Sequence, residues 1–151
     1  MREIRFRIWD AKDKIMCNVY QMEYFDKAWW AHCLPHNSDN TRRVLSTVHN
    51  PLMQFTGLRD AKCTEEYPEG QPICEGDILS ITCYSYRECE NEYYGEVVIG
   101  QLVGVGLIYT DHTGKKICEP LWNLTGTYKT EYYVCGNVHE HPHILGGNAN
   151  A

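Results

Sequence analysis

Apolar and polar residues alternate along residues 3–10, where Ile4, Phe6 and Ile8 share one face. Because successive side chains of a strand point to opposite faces, this spacing predicts a half-buried β-strand. A short polar segment follows, and the alternation resumes over residues 15–20. The two runs together predict an amino-terminal β-hairpin.

The alternation weakens between residues 21 and 50, a stretch that contains Pro35 and the polar run 36–40. We interpret this stretch as loop-rich, with a short strand within residues 42–49. Residues 53–56 predict a further strand, followed by a connector that is rich in proline and glycine and poor in apolar groups.

The β pattern returns after a Glu-Gly-Asp turn at residues 75–77. Further strands are predicted at residues 79–83, 93–99, 102–109 and 132–138. Glycines in or beside these strands favour bulges and curvature, so we expect a strongly curved or barrel-like sheet. Residues 119–124 fit a short strand or a helical turn equally well.

The predicted fold class is therefore mainly β, with short helical turns. An amino-terminal β-hairpin lobe, about residues 1–57, packs with a carboxy-terminal antiparallel sheet at residues 73–145. We expect one domain over residues 1–145 and a frayed tail at 146–151. Eleven tyrosines, four tryptophans and three phenylalanines supply enough apolar surface for a folded core.

The net charge of -6 disfavours nucleic-acid binding, because phosphate backbones attract basic surfaces. No window approaches the roughly 18 apolar residues that a membrane helix needs, and no export signal begins the chain. We therefore expect a cytoplasmic protein without membrane contact, whose eight cysteines remain thiols. Among these, Cys17, Cys83 and Cys135 fall at strand positions and are expected to be small core residues.

Short motifs that identify catalytic nucleophiles, phosphate loops or zinc hydrolases are missing from the sequence, so we expect no enzyme activity and no cofactor. His139, His141 and His143 are weak candidates for a zinc or nickel site if the segment is extended. The competing interpretation is a solvated chain end. His32-Cys33-x-x-His36 lacks a second ligand pair and fits a polar loop with one thiol.

Exposed aromatic residues are better candidates for binding, since aromatic side chains are enriched at protein interfaces. Adjacent tyrosines of a strand point to opposite faces, so one ring of each pair remains at the surface. We select Trp29, Trp30, Arg43 and Tyr94 as candidate contact residues. Protein or small-molecule contacts are favoured over stacking on nucleic-acid bases because the chain is acidic.

Three blocks of the sequence, taken in order and spacing, resemble the YopX family. They are residues 2–10 (REIRFRIWD), residues 53–60 (MQFTGLRD) followed by 73–79 (ICEGDIL), and residues 134–142 (VCGNVHEHP). The resemblance implies a small, largely β protein of tailed phages or prophages with no established activity. His139 and His141 of the last block, and His143 directly after it, depart from the family pattern and cannot be carried over as a shared metal site.

The leading hypothesis is a non-enzymatic, phage-type accessory protein of a bacterial host cell that binds a host or phage protein, with self-association into a homo-oligomer as a further possibility. A second hypothesis is a counter-defence factor that sequesters a nucleotide signal or inhibits a host nuclease. A third is a metal-binding protein or enzyme that uses the histidine cluster at residues 139–143. In all three, Glu75 and Asp77 are expected to be solvated turn carboxylates.

Overall fold

The computed structural model describes residues 5–36, 41–84, 90–100, 104–110, 113–121 and 130–147. These residues contain eleven β-strands and a short helix. The strands are β1 (Phe6–Asp10), β2 (Ile15–Phe25), β3 (Ala28–Pro35), β4 (Arg43–Ser46), β5 (Leu52–Arg59), β6 (Pro72–Cys74), β7 (Asp77–Tyr84), β8 (Glu90–Gly100), β9 (Gly104–Thr110), β10 (Lys116–Pro120) and β11 (Thr130–Asn137), and the helix is α1 (Pro142–Gly147).

The strands form two sheets, with the orders β4-β3-β2-β1-β5-β6 and β10-β9-β8-β7-β11. The chain divides into two compact units, Met1–Phe55 and Thr56–Ala151, so the boundary falls within β5. The described pairings are antiparallel, for example Ile8 opposite Cys17. These findings confirm the mainly β fold. Neither sheet closes into a barrel within the described residues, and strong curvature stays a prediction.

The first unit buries side chains on both faces of its sheet. Ile8, Cys17, Ala31 and Cys33 are fully buried on one face. A smaller cluster of Trp9, Met16 and Met53 lies on the other face. The alternation in β1 thus correctly predicted a strand, although both of its faces contribute to the core.

The described residues of the second unit form an apolar core on one face of its sheet. Its buried members are Ile73, Leu79, Ile81, Val97, Leu107 and Leu121. Gly95 lies opposite Leu79 in the β7–β8 pairing, and a Cβ atom added to it would stand 2.5 Å from Leu107. Glycine is required there because the Leu107 side chain occupies the space above the strand.

The prediction for residues 21–35 was wrong, because this stretch forms the end of β2 and all of β3. Two features hide the strands from the pattern. A register irregularity between Val19 and Gln21 interrupts the alternation, and aromatic residues project from both faces beyond it. The short strand expected within residues 42–49 is confirmed as β4.

Other predictions for the second unit are partly confirmed. Strands β7, β8, β9 and β11 were expected, whereas β6 and β10 were missed, because β6 has only three residues and β10 (KICEP) shows no period of two. The expected bulge beside a glycine is present in β11, where the register shifts between Val134 and Gly136. Within the described residues, no helix is long and apolar enough to cross a membrane.

The cysteines show that strand position alone does not establish burial. Cys17 is fully buried, as expected, whereas Cys135 is exposed, so its assignment to the core was wrong. The Cys135 thiol lies 3.3 Å from the carbonyl oxygen of Ile78 and donates a hydrogen bond to it. The Cys83 side chain lies outside the part of the chain that the structure describes.

Candidate functional site

The candidate contact residues fall in both units. Trp29 and Trp30 lie on β3 and Arg43 lies on β4, whereas Tyr94 lies on β8 of the second unit. The two tryptophans belong to a hairpin that joins β2 to β3. We call residues 24–30 the aromatic hairpin end.

The turn of this hairpin is a tight two-residue connection. Asp26 and Lys27 both have positive φ angles, of 50° and 61°. Two consecutive residues in this region match the twist of an antiparallel pair, as in a type I′ turn. The flanking residues Phe25 and Ala28 are paired directly across the hairpin. This turn projects the aromatic hairpin end away from the buried part of the sheet.

One face of the hairpin end carries Tyr24 and Trp29, which are opposite each other in the β2–β3 register. Their ring centroids are 5.3 Å apart in an edge-to-face arrangement. Tyr24 is 61% exposed and Trp29 is 51% exposed. The contact between the two rings favours this arrangement and lowers the cost of ordering them when a partner binds.

The other face carries Phe25, which is 68% exposed, and Trp30. The indole N–H of Trp30 donates a 3.1 Å hydrogen bond to the carbonyl oxygen of Phe25. Further along this face, His32 lies 3.0 Å from the carboxylate of Glu23, and the exposed Tyr20 ring lies 6.3 Å from the His32 ring. Aromatic groups therefore flank the hairpin end on both faces.

Arg43 is largely buried and engaged within the first unit. Its guanidinium donates hydrogen bonds to Asp10, at 2.7 Å, and to Asp13, at 2.6 Å. Burial raises the pKa of Asp10, but hydrogen bonds from the Asp13 N–H, from Arg43 and from the Lys12 N–H outweigh it and leave the pKa below its ordinary value. This geometry supports a structural role for Arg43.

The three histidines at the carboxy-terminal end occupy a turn and the start of α1. The ring of His141 accepts a 3.3 Å hydrogen bond through Nδ1 from the Asn137 N–H, and its centroid is 6.1 Å from that of His143. His139 donates its backbone N–H to the Asn137 side chain. Across the described parts of the chain, no three histidine, cysteine or acidic side chains converge as a metal site would require.

Three polar residues of the family-like blocks are buried and accept hydrogen bonds from backbone N–H groups. Asp60, Asp77 and Asn137 are 6%, 1% and 8% exposed. The Asp77 carboxylate accepts the Cys74 N–H at 2.8 Å, and Gly76 between them has a φ of 82°. The expectation of a solvated Asp77 was therefore wrong, because this carboxylate closes the turn that begins β7.

Tyr94 lines a cleft of about 230 Å³ on the second unit, together with Glu96, Ile108 and residues of β10 and α1. Burial raises the pKa of Glu96, and the charge of Glu75 acts in the same direction, while Lys116 opposes both. Sequence reasoning found Tyr94 but missed Glu96. Because side chains alternate along β8, the spacing of two residues places Tyr94 and Glu96 on one face. That spacing could have identified Glu96 as a neighbour of Tyr94 in the same site.

Fold and site together define a small, mainly β protein with two antiparallel sheets and a solvent-exposed aromatic hairpin end. The family model described as YopX protein matches residues 5–146. The chain therefore belongs to the YopX family, which confirms the resemblance of the three sequence blocks. No curated protein and no solved structure matches the chain.

Proposed function

We propose that the chain is a non-enzymatic, phage-type accessory protein that binds a host or phage protein in the cytoplasm of the bacterial host. The contact surface is the aromatic hairpin end. The observation that carries the proposal is the adjacency of Tyr24, Phe25 and Trp29, each more than half exposed, at one tip of the sheet. Scattered exposed apolar residues are ordinary, whereas a contiguous group of them is typical of an interaction site.

The composition of the hairpin end agrees with a protein partner. Tyrosine and tryptophan are enriched among the residues that contribute most to binding, because they bury a large area with few rotatable bonds. The exposed polar side chains of Glu23, Asp26 and Lys27 surround the rings and supply a hydrated rim. A tip with rings on both faces fits a groove in the partner better than a flat surface.

The test is a comparison of affinity capture from bacterial lysate by three forms of the full chain. The hairpin variant carries Phe25→Ser and Trp29→Ser. The control is Val48→Ser, because Val48 is 69% exposed in the same unit and close to Phe25 in exposure. Circular dichroism and thermal unfolding verify that all three forms are folded.

We expect a protein that is captured by the wild type and the control but lost with the hairpin variant. The purified protein then binds the wild type directly, with at least about tenfold lower affinity for the hairpin variant. Light scattering identifies a second copy as the partner if the wild type is oligomeric and the hairpin variant is monomeric. Identical capture by all three forms, or no capture by a monomeric wild type, would contradict the proposal.

A further inference from the structure

The cleft of the second unit lies on the sheet face opposite the apolar core. Glu96 is paired with Ile108 in the β8–β9 register, so both point to the same face. Thr110 follows Ile108 by two residues on that face, and Lys116 of β10 is paired with Thr110. Val97 and Leu107, the sequence neighbours of Glu96 and Ile108, point to the core instead. The register thus brings the carboxyl group of Glu96 and the amino group of Lys116 to one surface.

The two charged groups are separated rather than joined. Glu96 and Lys116 are two strands and two residues apart, which corresponds to about 12 Å between their Cα atoms. Within the residues that the structure describes, the two side chains form no direct ion pair. Both line the cleft, with the Glu96 carboxyl half-buried and Lys116 at its exposed rim.

Aliphatic, aromatic and hydroxyl side chains form the remaining walls of the cleft, which Thr110 and Tyr109 also line. Ile108 lies between the two charged strands, and Leu145 of α1 contributes from above. Tyr94 adds a ring at one side. The volume of about 230 Å³ is below the ~300–1,000 Å³ of pockets for drug-sized ligands. A ligand of this cleft would therefore be smaller than a drug-sized molecule.

We propose that this cleft binds a small dipolar molecule of amino-acid size, with its cationic amine on Glu96 and its carboxylate on Lys116. An amine alone satisfies Glu96 but lies in the field of the Lys116 cation. A carboxylate alone has the opposite conflict with Glu96. A zwitterion compensates both charges, and if its side chain is aliphatic, that side chain contacts Ile108 and Leu145. The site lies in a different unit from the aromatic hairpin end and does not depend on its function.

The probe is L-leucine, compared with two analogues that each lack one charge, 3-methylbutylamine and 4-methylpentanoate. Binding is measured by two-dimensional NMR titration of the full chain. We expect L-leucine to shift resonances of Tyr94, Ile108 and Leu145. We expect each single-charge analogue to bind at least about tenfold more weakly, because one buried or partly buried charge is left without a partner.

Two variants identify the groups that hold the charges. Glu96→Gln and Lys116→Met should each weaken L-leucine binding about tenfold or more. Glu69→Gln and Lys62→Met are matched controls, because both residues are exposed on the same unit away from the cleft and should leave binding unchanged. Thermal unfolding verifies that all four variants are folded.

Three results would overturn the proposal. The first is no shift of cleft resonances at about 10 mM L-leucine in the folded wild type. The second is equal affinity for L-leucine and for either single-charge analogue, which would show that the site recognises only one charged group of its ligand. The third is unchanged binding by the folded Glu96→Gln and Lys116→Met variants.

Discussion

The backbone N–H of Val134 donates a 3.0 Å hydrogen bond to Oδ2 of Asp60, which lies 74 residues earlier in the chain. The other oxygen of the same carboxylate accepts the N–H groups of Lys62, at 3.1 Å, and Gln71, at 2.8 Å. Asp60 is 6% exposed. One buried side chain therefore organises the loop after β5 and attaches it to β11.

Replacing Asp60 with alanine should be strongly destabilising. Three backbone N–H groups would lose their acceptor, and we expect the free energy of unfolding to fall by about 3 kcal/mol. Urea unfolding followed by circular dichroism measures this loss. Glu69→Ala, in the exposed part of the same loop, is the control and should change stability by less than about 0.5 kcal/mol. Equal stability of the two variants would show that Asp60 does not organise the loop.

The same loop contains a backbone contact that admits only glycine. Gly70 has a φ of 97°, and a Cβ atom added there would stand 2.2 Å from the carbonyl oxygen of Asp60. We expect Gly70→Ala to lower the free energy of unfolding by about 2 kcal/mol or more, through backbone strain and steric overlap. Gly114→Ala is the control for strain alone, since its φ is 85° and nothing lies near its Cβ position. The fall in melting temperature of Gly114→Ala measures the effect of backbone strain. Any larger fall in Gly70→Ala measures the added effect of steric overlap.

The sequence predicted strands well where one alternation governs an uninterrupted run. Residues 3–8, which lead into β1, are such a case, and Ile8 is fully buried and paired with Cys17 of β2. β3 was missed because Trp29 and Trp30 are both apolar and point to opposite faces, so the stretch shows no period of two. The register irregularity after Val19 adds a further interruption. Local pattern carries no information on an aromatic side chain that stays exposed.

Buried polar residues could not be predicted from their own neighbourhood. Asp77 lies in a Glu-Gly-Asp turn that would look the same in a solvated loop. Its burial depends on β11, where Asn137 is its partner in the register 60 residues later. In the same way, the cleft depends on Lys116 and Leu145, which only the tertiary fold brings to Glu96. These contacts join distant segments, and a single sequence does not encode them as a local signal.

The ion pair between Asp10 and Arg43 should contribute more to stability than the one between Asp13 and Arg43. The Asp10 side chain is 5% exposed, whereas that of Asp13 is 48% exposed. We expect Asp10→Asn to lower the free energy of unfolding by about 1–3 kcal/mol at neutral pH, and Asp13→Asn by less than about 1 kcal/mol. Urea unfolding of both variants and the wild type measures the difference.

The pH dependence of this effect follows from the lowered pKa of Asp10. A carboxyl whose pKa is lower in the folded than in the unfolded state stabilises the fold above its unfolded pKa. That contribution disappears as the pH falls through the folded pKa. The difference in the free energy of unfolding between the wild type and Asp10→Asn should therefore become smaller in acid. A gap that is constant from neutral to strongly acidic pH would contradict the assignment.

The thiols of Cys17 and Cys33 should be unreactive in the folded chain. Both are fully buried, and burial raises the pKa of Cys17 and raises the pKa of Cys33 to about 12. At pH 8 only about one Cys33 thiol in ten thousand is then ionised. Iodoacetamide labelling with mass-spectrometric mapping should modify the exposed Cys63 and Cys118 and spare the buried pair. In urea all four should react. Rapid labelling of Cys33 in the folded state would contradict its burial.

Glu96 should destabilise the folded chain when it is ionised. Burial is the main cause that raises its pKa above the ordinary 4.5, so the folded state keeps a proton that the unfolded state has already released. Stability then decreases as the pH rises from about 4.5 through the folded pKa of Glu96, and it stays reduced above that pH. Glutamine cannot ionise and avoids this loss. The stability of Glu96→Gln relative to wild type should therefore be higher at about pH 7 than at about pH 4.

Urea unfolding at the two pH values measures this change, with the exposed Glu69→Gln as the matched control. Glu69→Gln makes the same chemical change at an exposed position, so an effect that comes from the burial of Glu96 should be absent from this control. A Glu96→Gln variant that follows the control would mean that Glu96 is solvated in the folded chain. The half-buried acid of the proposed cleft would then be absent, and the charge that is expected to hold the amine would be free in water.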